Sequence, residues 1–356
     1  MTYLLAIKTA VILFPLLAFL ITGPFILYQY HKYTSISPLK TLIIYSFIFY
    51  LLCAYFLVIL PLPSKDSVIN NPDWMIQMIP FHFIVDLIKE NPLILGNPKT
   101  YISAILDPSF YVVAFNILLF VPFGMFLKYY KGYSLKKIIL ASLLLSAFFE
   151  FTQLTRLYGL YPKPYRLCDI DDLILNTMGG IVGYLWMLDL EKRIPSKIQL
   201  EQQAYEKGKT VSPLRRISIF ILDFLIYIAI TIFLGAKHPI LIFIIYFTII
   251  PNFFHNKTLG SAFLNVKIES SKETYQYLLR PYFLYFYYIY FPYKILMLGS
   301  QLGTIIGGEK IRIIFYLLLI LTVFFFYIGN IFYLIIKNKI FYDKLLKVNY
   351  KNTFRD

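Results

Sequence analysis

Long apolar runs dominate this chain, and few folds are open to a sequence built that way. Nine stretches, roughly 4–30, 40–62, 110–128, 135–155, 173–190, 216–235, 239–253, 278–298 and 312–336, are apolar from end to end. A helix needs about 20 apolar residues to cross a bilayer core, and only the seventh stretch is distinctly short. The eighth holds Pro281 and Pro292, tolerable where neighbouring helices re-satisfy the freed carbonyls. The predicted fold class is therefore all-α: a polytopic integral membrane helical bundle of about nine transmembrane helices. Composition agrees, with 59% hydrophobic and 15% charged residues, where a soluble domain carries nearer a quarter charged. The first run lacks a small-residue cleavage site and is too long for a secretory signal, so it reads as a span.

The net charge of +15 would suggest nucleic acid in a soluble protein. Here the cations sit in short loops between apolar runs, so they read as orientation signals. With the N-terminus outside, the segments 31–40, 128–137, 191–216, 254–280 and 337–356 face the cytoplasm and hold 23 of the 34 Lys and Arg. The acids split almost evenly, as the positive-inside rule expects. The C-terminus is then cytoplasmic. Residues 63–109 form a long outer interfacial loop, in which Trp74, Met78, Phe81, Val85 and Ile88 recur at helical spacing around Pro80. This predicts two short helical pieces lying at the interface. The polar stretch 191–211 is a cytoplasmic linker, dividing a first membrane domain (1–190) from a second (212–356). Cys53 lies in an apolar run and Cys168 in a loop, which argues against a disulfide. The Cys and His spacings fit no metal site, and no cofactor motif is present.

Three parts of the first domain place polar groups where lipid disfavours them. The third span carries Asn116, Pro122 and Gly124. The fourth ends with Ser146, Glu150 and Gln153 on one face. The fifth opens Arg166-Leu-Cys-Asp169-Ile-Asp171-Asp172 and runs on through Asn176, Gly179, Gly180 and Gly183. The predicted topology brings all three to the outer half of the bilayer, in one polar pocket. A carboxylate near a helix centre costs about 2.5–3.5 kcal/mol to insert, so Glu150 should face the bundle interior, with Arg166 as its expected partner. The glycines read as helix packing. This series, together with Ile79-Pro80-Phe81, resembles the VanZ-like family over residues 40–190. The resemblance implies a bacterial membrane protein associated with tolerance of teicoplanin-type glycopeptides, a phenotype rather than a reaction. The candidate ligand residues are Asn116, Glu150, Gln153, Arg166, Asp169, Asp171, Asp172 and Asn176.

The second domain opens Ser212-Pro-Leu-Arg215-Arg216 and places Asp223 two turns into its first span, seven residues from Arg216 and on the same face. An intramembrane Asp needs a partner, and Arg216 and Arg280 are the candidates. Thr258-Leu259-Gly260 and, near the C-terminus, Phe341-Tyr342-Asp343-Lys344 follow. Arg216, Asp223, Arg280 and Asp343 in this order resemble the RDD family over residues 210–350, which implies a membrane module with transport as a suggested role. From its sequence neighbours alone, Asp343 beside Lys344 and Lys347 reads as a solvated or interfacial charge.

The expected function is non-catalytic: a multi-pass protein of the bacterial cell membrane that binds a membrane lipid, a lipid-linked wall precursor or a glycopeptide at the outer pocket. A transporter or lipid-moving protein is the alternative. A membrane enzyme using its clustered carboxylates as acid and base ranks third. Nucleic acid is not an expected partner, and the sequence does not fix the oligomeric state.

Overall fold

The structure, a computed structural model, describes residues 2–235, 238–270, 273–305 and 308–354. In chain order its main elements are α1 (Thr2–Tyr33), α2 (Pro38–Ile59), β1 (Ile76–Gln77), α3 (His82–Glu90), α4 (Pro108–Lys131), α5 (Leu135–Leu154), β2 (Cys168–Asp169), α6 (Ile170–Leu190), α7 (Lys197–Gly208), α8 (Pro213–Phe233), α9 (Pro239–Phe253), β3 (Val266–Ser270), α10 (273–305), α11 (Glu309–Lys337) and β4 (Val348–Asn352). The chain is an all-α polytopic membrane protein, with two small two-stranded sheets among the described residues. Both cysteines are free.

Seven of the described helices, α1, α2, α4, α5, α6, α8 and α11, are long and apolar enough to cross a bilayer. The other two of the nine expected stretches, α9 and α10, fall outside those limits of length and hydropathy. The fifteen residues of α9 rise only about 22 Å. Helix α10 is long, but it carries tyrosines at 282, 285, 287, 288, 290 and 293 and prolines at 281 and 292, and it falls short of the hydropathy of the other seven. Both helices contain a π turn, at Ile245–Ile249 and Phe286–Tyr290. Helix α11 shows what lipid-facing means here: none of its most apolar 18-residue window is buried within the protein.

Short polar signals fix where the spans begin. Ser37, Asp107 and Ser212 each precede a proline at the first helical turn, and each side chain accepts a backbone N–H of that turn. Asp169 does the same for α6, through Asp171 N–H. Such caps satisfy donors that the helix itself leaves unpaired.

The loop 63–109 departs from expectation in its first half. Residues 82–90 are helical, as their spacing predicts, but Ile76–Gln77 form a strand paired in parallel with Cys168–Asp169. Proline disfavours helical backbone at the residue before it, so Pro80 keeps Ile79 and its predecessors out of any continuous helix. The freed backbone pairs with the segment leading into α6.

Contacts divide the chain into two units. One comprises Met1–Ile21 and Ser37–Leu200, the other Thr22–Ile36 and Glu201–Asp356. In the first, α4 and α6 pack closest, because glycines face backbone across their interface. A Cβ built on Gly124 would stand 2.1 Å from Gly180 O, and one on Gly179 2.0 Å from Ile117 O. In the second unit, α7 packs beside the last turn of α1 and the residues after it, with Tyr33 donating to Glu201 and Ser35 to the Ala204 carbonyl. Strands β3 and β4 pair antiparallel, Val266 opposite Asn352 through Ser270 opposite Val348.

Candidate functional site

At one end of the first unit, the start of α6, the end of α5 and the third turn of α4 bring the predicted polar residues together. Asn116 donates to the Asp172 carboxylate. Asn176 donates to Ser146 Oγ (2.9 Å), which in turn donates to the Asp172 carbonyl (3.3 Å). The Glu150 carboxylate accepts the Asp169 N–H at 3.0 Å and bonds the Cys168 thiol. Glu150, Gln153, Asp171 and Asn176 are buried, while Asn116, Asp169 and Asp172 are half-buried.

Arg166 is not the partner of Glu150. It donates to the carbonyls of Val58 (2.7 Å) and Leu60 (3.2 Å) at the end of α2, and Gln153 also reaches the Val58 carbonyl. The last carbonyls of a helix lack intrahelical donors, and Pro61 and Pro63 beyond them bring no N–H. Arg166 and Gln153 supply what is missing. Among the described residues none of Glu150, Asp169, Asp171 and Asp172 is in an ion pair.

Asp171 has a different task from its neighbours. Its two oxygens accept the N–H groups of Phe81 (2.6 Å) and Phe83 (2.9 Å), so it caps α3 and ties the long loop down. Phe81 sits in left-handed backbone, φ 66°, a conformation that needs such support in a bulky residue. Around this tether Gln77 donates to Asp169, Lys163 pairs with Asp73, and Asn71 donates to the Pro164 carbonyl at 2.7 Å. The bonds from Phe81, Phe83 and Gln77 are not predictable from spacing, although Phe81 belongs to the Ile-Pro-Phe piece already noted. His82 meets Asp86 one turn on, at 3.1 Å.

The Cys168 thiol lies in the loop just before α6. Burial, with the Glu150 charge beside it, pushes it up to about 11. Burial likewise raises Asp169 above the usual carboxylate range. The thiolate is the reactive form, so in a Cys53→Ser background Cys168 alkylates at pH 8 roughly 100-fold more slowly than an unperturbed thiol of pKa near 9. Glu150→Gln recovers part of that rate. Iodoacetamide labelling followed by mass spectrometry reads both, and full reactivity in the wild type would contradict the half-buried placement beside Glu150.

The second unit gathers its own polar groups. Arg216 pairs with Asp343, donates to the Asn338 carbonyl, and lies 3.9 Å above the Tyr350 ring. The Tyr350 hydroxyl stands 3.2 Å from both Asp343 oxygens and accepts from Arg280 at 3.1 Å. Asp343 is thus fully buried, against the solvated reading of its sequence context, because β4 folds back onto β3 and closes over it. Asp223 has neither arginine as a hydrogen-bonded partner. It accepts from the Tyr246 hydroxyl (2.7 Å), the Thr258 hydroxyl (2.6 Å) and Gly260 N–H (2.7 Å). A Cβ at Gly260 would stand 2.6 Å from the Asp223 carboxylate, so only glycine lets this N–H approach so closely. Arg215, passed over beside Arg216, is wholly buried and bonds the Leu264, Asn265 and Gly208 carbonyls and the Asn352 side chain. The tandem Arg215-Arg216 was the available signal for it. Nothing local in sequence marks Tyr350.

These features define a helical membrane protein with buried polar clusters in each of two units. Residues 47–190 match the VanZ/LLP1 family, and this matched stretch carries the whole acidic cluster. No curated protein and no solved structure matches the chain.

Proposed function

We propose that the chain is a VanZ-type protein of the bacterial cell membrane that binds the polar head of a lipid, a lipid-linked wall precursor or a glycopeptide at the acidic end of α5 and α6, without catalysing its conversion. The observation that carries this reading is the charge imbalance there. Glu150, Asp169 and Asp172 converge without an ion pair among the described residues, and Arg166 is spent on backbone carbonyls. Carboxylates held in place by neutral donors suit a ligand rich in N–H, O–H or ammonium groups, because charge-assisted hydrogen bonds are the strong ones. Asp171, with both oxygens engaged, serves as the tether of the covering loop. With the orientation read from the cations, this end faces outward, where a glycopeptide or wall precursor is met.

Expression of the wild type in a susceptible strain is expected to raise teicoplanin tolerance, and Glu150→Gln with Asp172→Asn to abolish the gain at matched membrane levels. Each lost charge-assisted bond contributes about 1.5–3 kcal/mol, so ligand affinity falls about tenfold or more per site. Full tolerance in the double variant would remove the pocket from the mechanism.

A second reading, transport or lipid movement, is favoured by the charged cluster of the second unit. There Arg216, Arg280 and Asp343 meet around Tyr350. Uptake or lipid scrambling in proteoliposomes above the empty-vesicle rate would bring this reading forward.

A further inference from the structure

A cavity of about 200 Å³ lies inside the second unit, walled by α8, α9, α10, α11 and the β3–β4 sheet. Its polar wall holds two guanidinium groups, those of Arg216 and Arg280. The Nε atoms of both arginines are buried without a hydrogen-bond partner, and the Arg216 side chain is only 4% exposed. An unanswered buried donor is costly, and a charged one more so. The local acids do not answer these donors. Asp343 takes Arg216 through its terminal nitrogen, and Asp223 is already filled by Tyr246, Thr258 and Gly260. Arg280 makes no ion pair among the described residues; it donates to the Tyr350 hydroxyl, and its guanidinium lies 6.0 Å from the Tyr350 ring centre.

Asp223, Thr258, Ser261 and Asn330 also line it, and the apolar part of the wall includes Phe220, Leu284, Ile331 and Leu334. Ile221 on α8 and Ile331 on α11 line the cavity yet are 52% and 41% exposed, which carries its wall out to the surface that lipid covers. A cavity of this size admits a head group and the first few carbons of a chain.

We propose that this cavity is an oxyanion site: the phosphate of an anionic amphiphile sits against the Arg216 and Arg280 guanidinium groups, with its apolar part running between α8 and α11. Guanidinium is suited to this, since its planar fork matches phosphate oxygens and it is weakly hydrated. Phosphate could also reach the site as the free ion, and the test separates the two sources.

The full chain, purified in detergent and delipidated, is offered phosphatidylglycerol, phosphatidylcholine or inorganic phosphate. Native mass spectrometry counts retained lipid, and the thermal midpoint reports phosphate. The wild type is expected to retain one phosphatidylglycerol in preference to phosphatidylcholine. Arg280→Gln weakens this about tenfold, as expected for one charge-assisted contact. Leu334→Trp, which fills the apolar part and keeps both arginines, also loses the lipid, so the result does not hang on one charge variant. A midpoint raised by inorganic phosphate in the wild type but not in Arg280→Gln, without lipid retention, upholds the oxyanion site and assigns it a soluble source. Phosphatidylglycerol retained equally by the wild type and both variants, or no response to either phosphate source, overturns the proposal.

Discussion

Asp343→Asn lowers the thermal midpoint of the purified chain by roughly 6–20 °C. Removing one partner of a buried pair costs about 3–5 kcal/mol, and each kcal/mol moves the midpoint of a unit this size by roughly 2–4 °C. The pair in question is out of water on both sides, with side-chain exposures of 4% for Arg216 and 0% for Asp343. The loss is large because of what stays behind. Arg216 would remain buried against the Tyr350 ring, bonded to one carbonyl, with no counter-charge in contact. The Tyr350 hydroxyl, which spans Asp343 and Arg280, would lose its charged acceptor as well.

The cycle of Asp343→Asn, Arg216→Gln and the double variant isolates the pair, since residues in one network couple by about 0.5–3 kcal/mol. The double variant is expected to be less destabilised than the sum of the two singles. Heating in mild detergent, followed by circular dichroism, gives the midpoints. Simple additivity across the cycle would show that the two side chains do not act as a pair.

Hydropathy makes the seven long spans legible because lipid selects for it directly, and its signal is weaker at α10, whose tyrosines and prolines still form a helix. The convergence of Asn116, Asp172, Ser146 and Asn176 was also legible, since it needs only helical periodicity and antiparallel neighbours. Pairings that depend on backbone were not. Arg166 answers carbonyls that α2 leaves unpaired at its end, and no spacing rule ranks a carbonyl above Glu150. Asp171 looked like one more acid of the cluster until the loop from Trp74 to Phe83 was placed against it. Asp343 was misread for a related reason. Its neighbours Lys344 and Lys347 suggest solvent, whereas its burial comes from β4 pairing with a strand more than 75 residues earlier in the chain.

Gly179→Leu and Gly183→Leu are expected to separate α4 from α6 and to release the acidic cluster with them. Helices in lipid gain nothing from burying apolar surface against one another, so close van der Waals approach is what holds them. Here that approach is at its limit: a Cβ on Gly183 would stand 2.1 Å from the Val121 carbonyl oxygen, and one on Gly179 2.0 Å from that of Ile117. Backbone cannot swing aside as a side-chain tip can, so even alanine forces the helices apart. Overpacking costs about 1–3 kcal/mol in a soluble core and occasionally more, and leucine at these positions belongs at the upper end. The displacement also has a chemical consequence, because Ile117 adjoins Asn116, whose amide holds Asp172. Loss of stability and loss of the site should therefore appear together in these two variants. The control is Gly329 in α11, where an added Cβ meets nothing within 4 Å. Gly329→Ala should be neutral or stabilising by up to about 1 kcal/mol from helix propensity. If Gly179→Ala proved as harmless as Gly329→Ala in thermal midpoint, the close α4–α6 contact would not be what holds the first unit together.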